Sequence, residues 1–338
     1  MRLLVRVACV AVCIAVQARS QYLDGTTSLF PFLKFDDNAR TIAMGGASAA
    51  LANGIYGAAV NPAATGYLTR NQAMIGYQSL ILDAWAGPIG YAIPYKNYGV
   101  FFSNIMYASH GYLDSSESRD EYNNPTGATF HVFSLVGSLG WSKLVYDNLS
   151  VGLTCKGIYH PIKSSLGYYS SATAMAFDGG LQYRMLNSHV ILGAALQNAG
   201  FVISNYSKDF SGLSLPLAVT VGASYEPLYV PGLRVTCDLQ KSNDDYLNYK
   251  PGIEFALYKK VLFGRAGYTF SEADLEELLK EMKNTGNPDY VKSYASGLSL
   301  GLGLVTAFNG VPMNVDIAFL QRVQDLTPTF ALSFLVEY

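Results

Sequence analysis

The sequence predicts an all-β protein: a 14-stranded antiparallel transmembrane β-barrel with a short N-terminal helical plug inside the lumen. Three observations predict this fold. Charged residues are few, yet no segment after the N-terminus could form a membrane-spanning helix. Segments of about ten residues alternate between apolar and polar side chains. Short and long loops alternate along the chain. The predicted boundaries are a signal peptide at 1–20, a plug segment at 21–70 and the barrel at 71–338.

The composition is unusual for a soluble domain. Charged residues make up 14% of the 338 residues, against about 25% in typical soluble domains. After the N-terminus the sequence contains no apolar run of about 18 residues, the length that a spanning helix needs. Because only helices and closed barrels satisfy every backbone polar group in lipid, a barrel is the membrane architecture that remains.

The N-terminus has the features of an export signal. A basic start at Met1–Arg6 precedes a short apolar core at Val7–Val16, and Ala18–Ser20 fits a cleavage site with small residues at both ends. We therefore expect a mature start near Gln21 and localisation in the bacterial outer membrane. Cleavage leaves 20 Lys and Arg residues against 25 acidic ones, a net charge near −5, which argues against nucleic acid as a partner.

From about residue 71 onward, apolar and polar side chains alternate in segments of strand length. In Leu233–Gln240, for example, four apolar residues alternate with four polar ones. Alternation alone does not separate a soluble sandwich from a membrane barrel. The predicted strands begin near Gln72, Trp85, Tyr98, Thr126, Leu149, Ala172, His189, Leu213, Leu233, Lys250, Val261, Ser293, Met313 and Pro328.

The loops between these strands favour the barrel. Six connections from an even to an odd strand are short, whereas most connections from an odd to an even strand are longer and more polar. The long ones are predicted at 111–125, 161–171, 201–212, 241–249 and 271–292. Outer-membrane barrels have short periplasmic turns and longer outer loops, whereas a sandwich has no reason to sort its loops this way. The first hairpin, near Leu82-Asp83, is a short exception.

The C-terminal residues resemble the signal that hands a barrel to its insertion machinery. Apolar residues alternate from Phe330 through Phe334 to the terminal Tyr338. A plain edge strand is the alternative, but such a strand would be an aggregation hazard in water. Phe334 and Tyr338 are therefore predicted to carry the insertion signal, and the predicted partners include the insertion machinery and outer-membrane lipid.

Two cysteines remain in the predicted mature chain, Cys155 and Cys237. They fall on the fifth and ninth predicted strands, both on the lipid-facing side. Their α-carbons should therefore lie far beyond the roughly 7 Å that a disulfide tolerates. We expect two free, unreactive thiols.

One segment, residues 271–284, has a helical pattern instead. Ser271 and Asp274 form a start like a capping box, and Leu275 and Leu279 belong to an apolar stripe. Loop order places this helix outside the cell. It is either a solvated helix that caps the rim or a docking surface for a partner, with Leu275 and Leu279 as the anchors.

The sequence contains no pattern that favours catalysis. It has no G-x-S-x-G nucleophile elbow, and Gly301–Gly303 lacks the remaining features of a dinucleotide site. The four histidines form no known metal or nucleophile motif. We therefore predict a protein that is not an enzyme, with no catalytic, cofactor-binding or metal-binding residues.

The N-terminal stretch Ala39–Leu68 is almost uncharged and rich in Ala and Gly. Small residues permit close approach from all sides, which a segment packed inside a lumen requires. Met44–Leu51 is predicted to form a short helix that stops at Asn53-Gly54, and Asn61 before Pro62 to form an extended turn toward the first strand. Arg40 either pairs with a lumen acid or lies on the periplasmic surface; the candidate acids are Asp178, Asp238, Glu254 and Asp316.

Several short motifs here resemble the PorV/PorQ family of outer-membrane proteins. They are Phe32-Leu33-Lys34, Ala39-Arg40, Met44-Gly45-Gly46-Ala47 and Asn61-Pro62-Ala63. That family is similar to the FadL-type long-chain fatty acid transporters, in which an N-terminal segment occludes a fourteen-stranded barrel. The resemblance implies a plug motif of Arg40, Met44, Gly45, Gly46, Asn61 and Pro62.

The resemblance leaves two functions open, and the predicted lumen favours one of them. PorV-like relatives assist type IX protein secretion or surface display, whereas FadL-like relatives transport hydrophobic small molecules and need an apolar pocket. The inner faces are predicted to carry many polar groups, which disfavours a continuous hydrophobic conduit: Thr154, Lys156, Asp178, Gln182, Arg184, Arg234, Asp238, Gln240, Glu254, Arg265 and Asp316. The leading expectation is therefore a secretion role, with secreted proteins or secretion-system subunits as partners. A hydrophobic-compound transporter and a structural barrel without cargo are the alternatives.

Overall fold

A computed structural model describes residues 28–51, 54–80, 84–113, 122–124, 129–165, 169–185, 189–206, 214–274, 297–321 and 328–338. The predicted signal peptide and the anchors Leu275 and Leu279 lie outside these residues. The strands are β1 (Gln72–Ser79), β2 (Trp85–Tyr95), β3 (Gly99–Leu113), β4 (Phe130–Tyr146), β5 (Leu149–Ser164), β6 (Tyr169–Met185), β7 (Val190–Ser204), β8 (Ala218–Tyr225), β9 (Leu233–Ser242), β10 (Leu247–Tyr258), β11 (Leu262–Tyr268), β12 (Leu298–Phe308), β13 (Val311–Leu320) and β14 (Thr329–Glu337).

These strands form one closed antiparallel barrel. Each strand pairs with its neighbours in sequence, and β1 pairs with β14 to close the wall. Phe270–Ser271 continues β11 after Thr269, since it pairs with β10 as the rest of β11 does. The predicted 14-stranded barrel is confirmed, and each of the described strands is paired on both sides, so none of them is an exposed sheet edge.

Loop lengths follow the predicted order with two corrections. The predicted long loops at 161–171 and 241–249 are largely strand: β5 extends to Ser164 and β6 begins at Tyr169, while β9 extends to Ser242 and β10 begins at Leu247. Where a strand extends beyond the lipid, its polar side chains can face water while its backbone stays hydrogen-bonded to the neighbouring strands. The polar residues in these two segments therefore did not mark the ends of the strands. We call the ends of the barrel the long-loop end and the short-turn end.

The outer surface of the barrel is apolar along most of its height. Large side chains such as Ile89, Leu139 and Leu153 are 58%, 72% and 61% exposed. Cys155 and Cys237 lie on β5 and β9 as free cysteines. A broad apolar surface of this kind is what lipid covers in a transmembrane barrel.

In the described part of the chain, the helices are few and short. They are α1 (Ala39–Ala43) and the 3₁₀ helices Pro31–Lys34, Gly54–Gly57, Pro62–Tyr67 and Lys96–Tyr98. None of the helices in the described ranges has the length and apolarity to cross a membrane. At the predicted outer-loop helix, the Asp274 carboxylate accepts from the Ser271 amide at 2.8 Å, and the Ser271 hydroxyl accepts from the Asp274 amide at 3.2 Å. This reciprocal pair is the predicted capping box.

Candidate functional site: the barrel lumen

Residues 28–51 and 54–68, which we call the inner segment, lie against the inner faces of the strands. The segment starts beside the long-loop end, where Ser28 forms a parallel bridge with Ser214. It then contributes α1, which packs mainly against β13 and β12, and the helix Pro62–Tyr67, which packs against β4, β5 and β6. Most of its residues are buried.

The helix in this segment lies earlier than the sequence predicted. It spans Ala39–Ala43, and the Asn38 side chain caps it by accepting from the Thr41 amide at 2.9 Å. The predicted helix at Met44–Leu51 is wrong, because Gly45 and Gly46 adopt φ values of 68° and 76° and end α1. These left-handed angles favour glycine. The predicted stop residue Asn53 lies outside the described residues.

Met44, Gly45 and Gly46 place backbone directly against the wall. Met44 is fully buried, and a Cβ at Gly45 would lie 2.6 Å from the backbone nitrogen of Tyr268. The Gly45 amide donates to the Ser299 hydroxyl at 3.0 Å. The glycines therefore provide both the turn and the close approach to β11 and β12.

Asn61 and Pro62 form a second anchor. Asn61 has an extended backbone (φ −138°, ψ 104°) and its side chain accepts from the Ala63 amide at 3.0 Å, so it caps the helix Pro62–Tyr67. Its amide nitrogen also donates to Ala49 O at 2.8 Å and Leu181 O at 3.0 Å. One buried side chain thus joins two parts of the inner segment to β6.

The wall accommodates the inner segment with glycines of its own. A Cβ at Gly193 would lie 1.9 Å from Ala49 O, one at Gly180 2.0 Å from Asn61 Oδ1, and one at Gly267 2.1 Å from the Gly45 nitrogen. Real side chains cannot approach this closely. The wall and the inner segment are therefore complementary in shape, with small residues on both sides of the contact.

A network of charged side chains connects α1 to the short-turn half of the wall. Arg40 donates to both carboxylate oxygens of Glu254, at 2.9 and 3.1 Å. Arg265 bonds Glu254 at 2.7 Å and Asp316 at 2.6 Å, and Arg234 bonds Glu254 at 3.1 Å. Three arginines thus surround one buried carboxylate, as buried charges require.

A cavity of about 220 Å³ lies beside this network at the short-turn end. Its lining is mostly charged and includes Arg40, Glu226, Lys260 and Asp316. The Arg234 side chain also forms an ion pair with Glu226. This end of the lumen is therefore polar and suited to water.

The remaining predicted lumen charges are also partnered. Asp238 accepts from the Ser48 and Ala49 amides, each at 2.8 Å. Asp178 pairs with Lys156 at 2.6 Å, and the guanidinium of Arg184 lies 3.5 Å from the centre of the Tyr67 ring.

Thr154, Gln182 and Gln240 complete the predicted lumen set. The Gln182 side chain donates to Ala49 O at 3.0 Å and Leu51 O at 2.9 Å, and the Gln240 side chain donates to Gln197 at 3.2 Å. Thr154 is 4% exposed and lines a cavity near the middle of the lumen.

The long-loop half of the lumen contains an apolar cluster that the sequence did not predict, beside the imidazoles of His110 and His160. We call the part of the lumen around this cluster the apolar half. Phe30 and Phe32 of the inner segment pack there against Val136 and Ile158. The cluster also contains Leu29, Ala172, Ala174, Ala176 and Leu215. The polar lumen predicted from the sequence therefore describes only part of the interior.

A second cavity, of about 90 Å³, lies between this apolar half and the middle of the barrel. Phe32, Phe102, Met106 and Val136 contribute apolar walls, and Asn104 is among the polar residues that line it. The inner segment separates the two cavities, since its residues 32–37 line this one and Arg40 lines the other.

The predicted insertion residues lie at the seam where the barrel closes. Phe334 is 37% exposed on β14, on the outer face, and the Tyr338 hydroxyl donates to the Tyr91 hydroxyl at 2.7 Å. Their part in barrel insertion stays a prediction.

No family model and no curated protein matches this chain. Solved structures do. The Ralstonia pickettii toluene transporter TbuX has a TM-score of 0.61 and 15% identity, covering 90% of this chain and 98% of that one. The Pseudomonas putida toluene transporter TodX has a TM-score of 0.59 and 13% identity, again with 90% and 98% covered.

A TodX deltaS2 mutant, described as a monoaromatic hydrocarbon channel, has a TM-score of 0.60 and 15% identity, with 89% of this chain and 97% of that one covered. The more specific resemblance to PorV/PorQ proteins has no support among these matches and stays a prediction. At such low identities the matches establish the fold. The chain therefore shares, over nearly its whole described length, the barrel fold of two toluene transporters.

Proposed function

We propose that this protein is a non-enzymatic outer-membrane channel that admits small hydrophobic molecules. The observation that carries this proposal is the apolar half of the lumen, where Val136 and Ile158 face inward with the phenylalanines of the inner segment. At the short-turn end, by contrast, the lining is mostly charged. The long-loop end then faces outward, since outer loops are the longer ones in these barrels.

The fold relatives support the same proposal. Two of them are toluene transporters by description, and they are matched over 98% of their length. The FadL-like alternative from the sequence analysis is therefore favoured over the secretion function.

The dimensions of the lumen indicate that passage requires movement. An apolar cavity of roughly 150 Å³ holds one benzene molecule, whereas the cavity beside Phe32 measures about 90 Å³. A small aromatic molecule therefore enters only when a neighbouring side chain or the inner segment shifts. Ion pairs hold the inner segment to the wall after Phe32, Lys34 with Asp244 at 2.8 Å and Arg40 with Glu254 at 2.9 Å, and its backbone bridge at the long-loop end holds it before Phe32. The side chain of Phe32 is therefore the group proposed to move.

A pair of variants on inner faces tests this proposal. Val136→Asn places an unpaired amide in the apolar half, where leaving it without a partner costs about 1–3 kcal/mol. Val305→Asn makes the same change beside the charged short-turn cavity. We expect uptake of radiolabelled toluene by cells expressing the channel to fall roughly tenfold in the first variant and to stay unchanged in the second.

Equal uptake in cells with and without the wild-type protein would refute the channel. Uptake that is insensitive to Val136→Asn, with normal amounts of folded barrel, would refute the apolar half as its route. Folded amounts are measured by the shift of the unboiled barrel on a gel.

The secretion function favoured by the sequence makes a different prediction. It depends on the outer loop with Leu275 and Leu279, which lies outside the described residues, and none of the described contacts favours it. Under that function, affinity capture from solubilised membranes recovers exported proteins, and loss of the gene blocks their export. The channel proposal predicts normal export and reduced uptake of hydrophobic compounds.

A further inference from the structure

The side chain of Phe32, the group proposed to move, lies against two histidines. Its ring centre is 6.1 Å from the imidazole centre of His110 on β3 and 5.4 Å from that of His160 on β5. The two imidazole centres lie 5.3 Å apart, and His160 also makes a T-shaped contact with Phe30. Phe30 and Phe32 are 0% and 4% exposed, so the two imidazoles form part of the surface that holds the inner segment in the long-loop half.

One nitrogen of each imidazole has a hydrogen-bond partner. His110 Nε2 is bonded to the Ser134 hydroxyl at 2.6 Å, and His160 Nδ1 is bonded to the Tyr206 hydroxyl. His160 Nε2 is buried and has no partner among the described residues. A neutral imidazole has one N–H group, whereas a charged imidazole has two. Charging His160 in place would therefore bury a positive charge and an N–H group without an acceptor, which is costly.

No carboxylate among the described residues is paired with either imidazole. The charged groups on the surrounding elements have partners of their own: Lys34 with Asp244 at 2.8 Å and Asp245 at 3.6 Å, Lys156 with Asp178 at 2.6 Å, and Asp37 with Asn104 at 3.1 Å. Asp36 and Lys250 lie near each other, since a Cβ at Gly46 would be 3.1 Å from both Asp36 Oδ2 and Lys250 Nζ. A positive charge on either ring would therefore have no countercharge beside it.

We propose that His110 and His160 are an acid-sensitive switch, which holds Phe32 in place while both imidazoles are neutral and releases it when they are charged. Two positive charges at this separation repel each other strongly where water is excluded. Moving Phe30 and Phe32 away admits the water that the charged rings need, and the long-loop half then opens. This inference rests on the proposed channel function and assigns a regulation to the same site.

The size of the effect has an upper limit. A histidine in water takes up its proton near about pH 6.5, so pH 4.5 lies about two units below this value. An imidazole that is charged only in the open form then raises the ratio of open to closed barrels by at most about a hundredfold. Asp37 acts in the opposite direction: burial raises its pKa to about 6, so acid strengthens its contribution to the closed form. Opening in acid therefore has the sign of the histidines.

Conductance of single full-length barrels in planar lipid bilayers, recorded at pH 7.5 and pH 4.5, tests the switch. We expect the ratio of open to closed time in the wild type to rise at least tenfold in acid. The double variant His110→Gln/His160→Gln should lose this rise, because glutamine can bond Ser134 and Tyr206 but takes up no proton. Each single variant should lose part of it.

His131→Gln is the matched control. His131 lies on β4 three residues before Ser134, so it projects from the opposite face of the strand, where it packs against Phe133. It should respond to acid as the wild type does. The gel shift of the unboiled barrel confirms folding of each variant at both pH values.

A wild-type ratio that stays constant or falls in acid would overturn the switch. A rise that persists in the folded double variant, or that His131→Gln also abolishes, would overturn it as well. These results leave the channel proposal standing if radiolabelled toluene still enters cells through the wild-type barrel at neutral pH. Loss of that uptake would instead refute the channel itself.

Discussion

The contact between Gly193 and the inner segment gives a prediction with a defined size. A Cβ at Gly193 on β7 would lie 1.9 Å from the carbonyl oxygen of Ala49, whereas ordinary contact begins near 3.4 Å. Gly193→Ala must therefore move the backbone at Ala49 by about 1.5 Å, the difference between the two distances. Both partners are backbone, so no flexible side chain can absorb the change.

That shift removes two hydrogen bonds. Ala49 O accepts from the side chains of Asn61 and Gln182, at 2.8 and 3.0 Å, and neither bond survives a displacement of this size. Asn61 and Gln182 keep their bonds to Leu181 O and Leu51 O, so Ala49 O is the buried group left unpaired. This costs about 1–3 kcal/mol of binding between the inner segment and the wall. The equilibrium for release of the inner segment should rise roughly fivefold or more, since 1.4 kcal/mol is a factor of ten.

Conductance of single barrels in planar lipid bilayers measures this release. Gly193→Ala should open more often or to a higher level than the wild type. Gly157→Ala is the matched control, because a Cβ there meets nothing within 4 Å, and it should behave as the wild type does. If Gly193→Ala gives wild-type conductance and wild-type protection of the inner segment from protease, the inner segment does not pack on β7 as described.

Three further predictions concern charge and thiols. Arg40→Met should lower the melting temperature, because breaking a buried ion pair costs about 3–5 kcal/mol. Two other arginines also contact Glu254, so we expect a cost at the lower end of this range. The double variant Arg40→Met/Glu254→Gln should recover part of the lost stability. Burial raises the pKa of Asp37 from 3.8 to about 6. The contribution of this residue to stability is therefore complete below about pH 4 and is lost as the pH rises through 6. Thermal unfolding across this range should show the loss, and Asp37→Asn should remove this pH dependence. Cys155 and Cys237 should form no disulfide, so a gel shift that disappears with dithiothreitol would contradict the strand register.

The wall of the barrel could be predicted from the sequence because it has a simple period. Alternation of apolar and polar residues, as in Leu233–Gln240, marks the face that lipid covers, and loop lengths give the strand order. The strand ends were less predictable, since Ser164 and Ser242 continue paired backbone into polar surroundings. Pairing with a neighbouring strand leaves no mark in the local sequence.

The interior was harder to predict because it depends on contacts between distant residues. Arg40 had four candidate acids, and only the three-dimensional position of α1 selects Glu254. The apolar half was missed because Val136 and Ile158 each stand between polar residues on the inward face of their own strand. Val136 lies between Ser134 and Ser138, and Ile158 lies between Lys156 and His160, so neither strand shows an apolar inner face in its sequence. Gly193 offered a signal, since a glycine at an inward strand position indicates close approach by another backbone.

The proposed channel requires small hydrophobic molecules to occupy the apolar half of the lumen. Crystals of the purified barrel soaked with iodobenzene test this occupancy most directly, because iodine is located by its anomalous scattering. We predict an iodine peak inside the barrel, between Phe32, Met106 and Val136. Iodine peaks confined to the outer, lipid-facing surface, with none in the lumen, would contradict the claim.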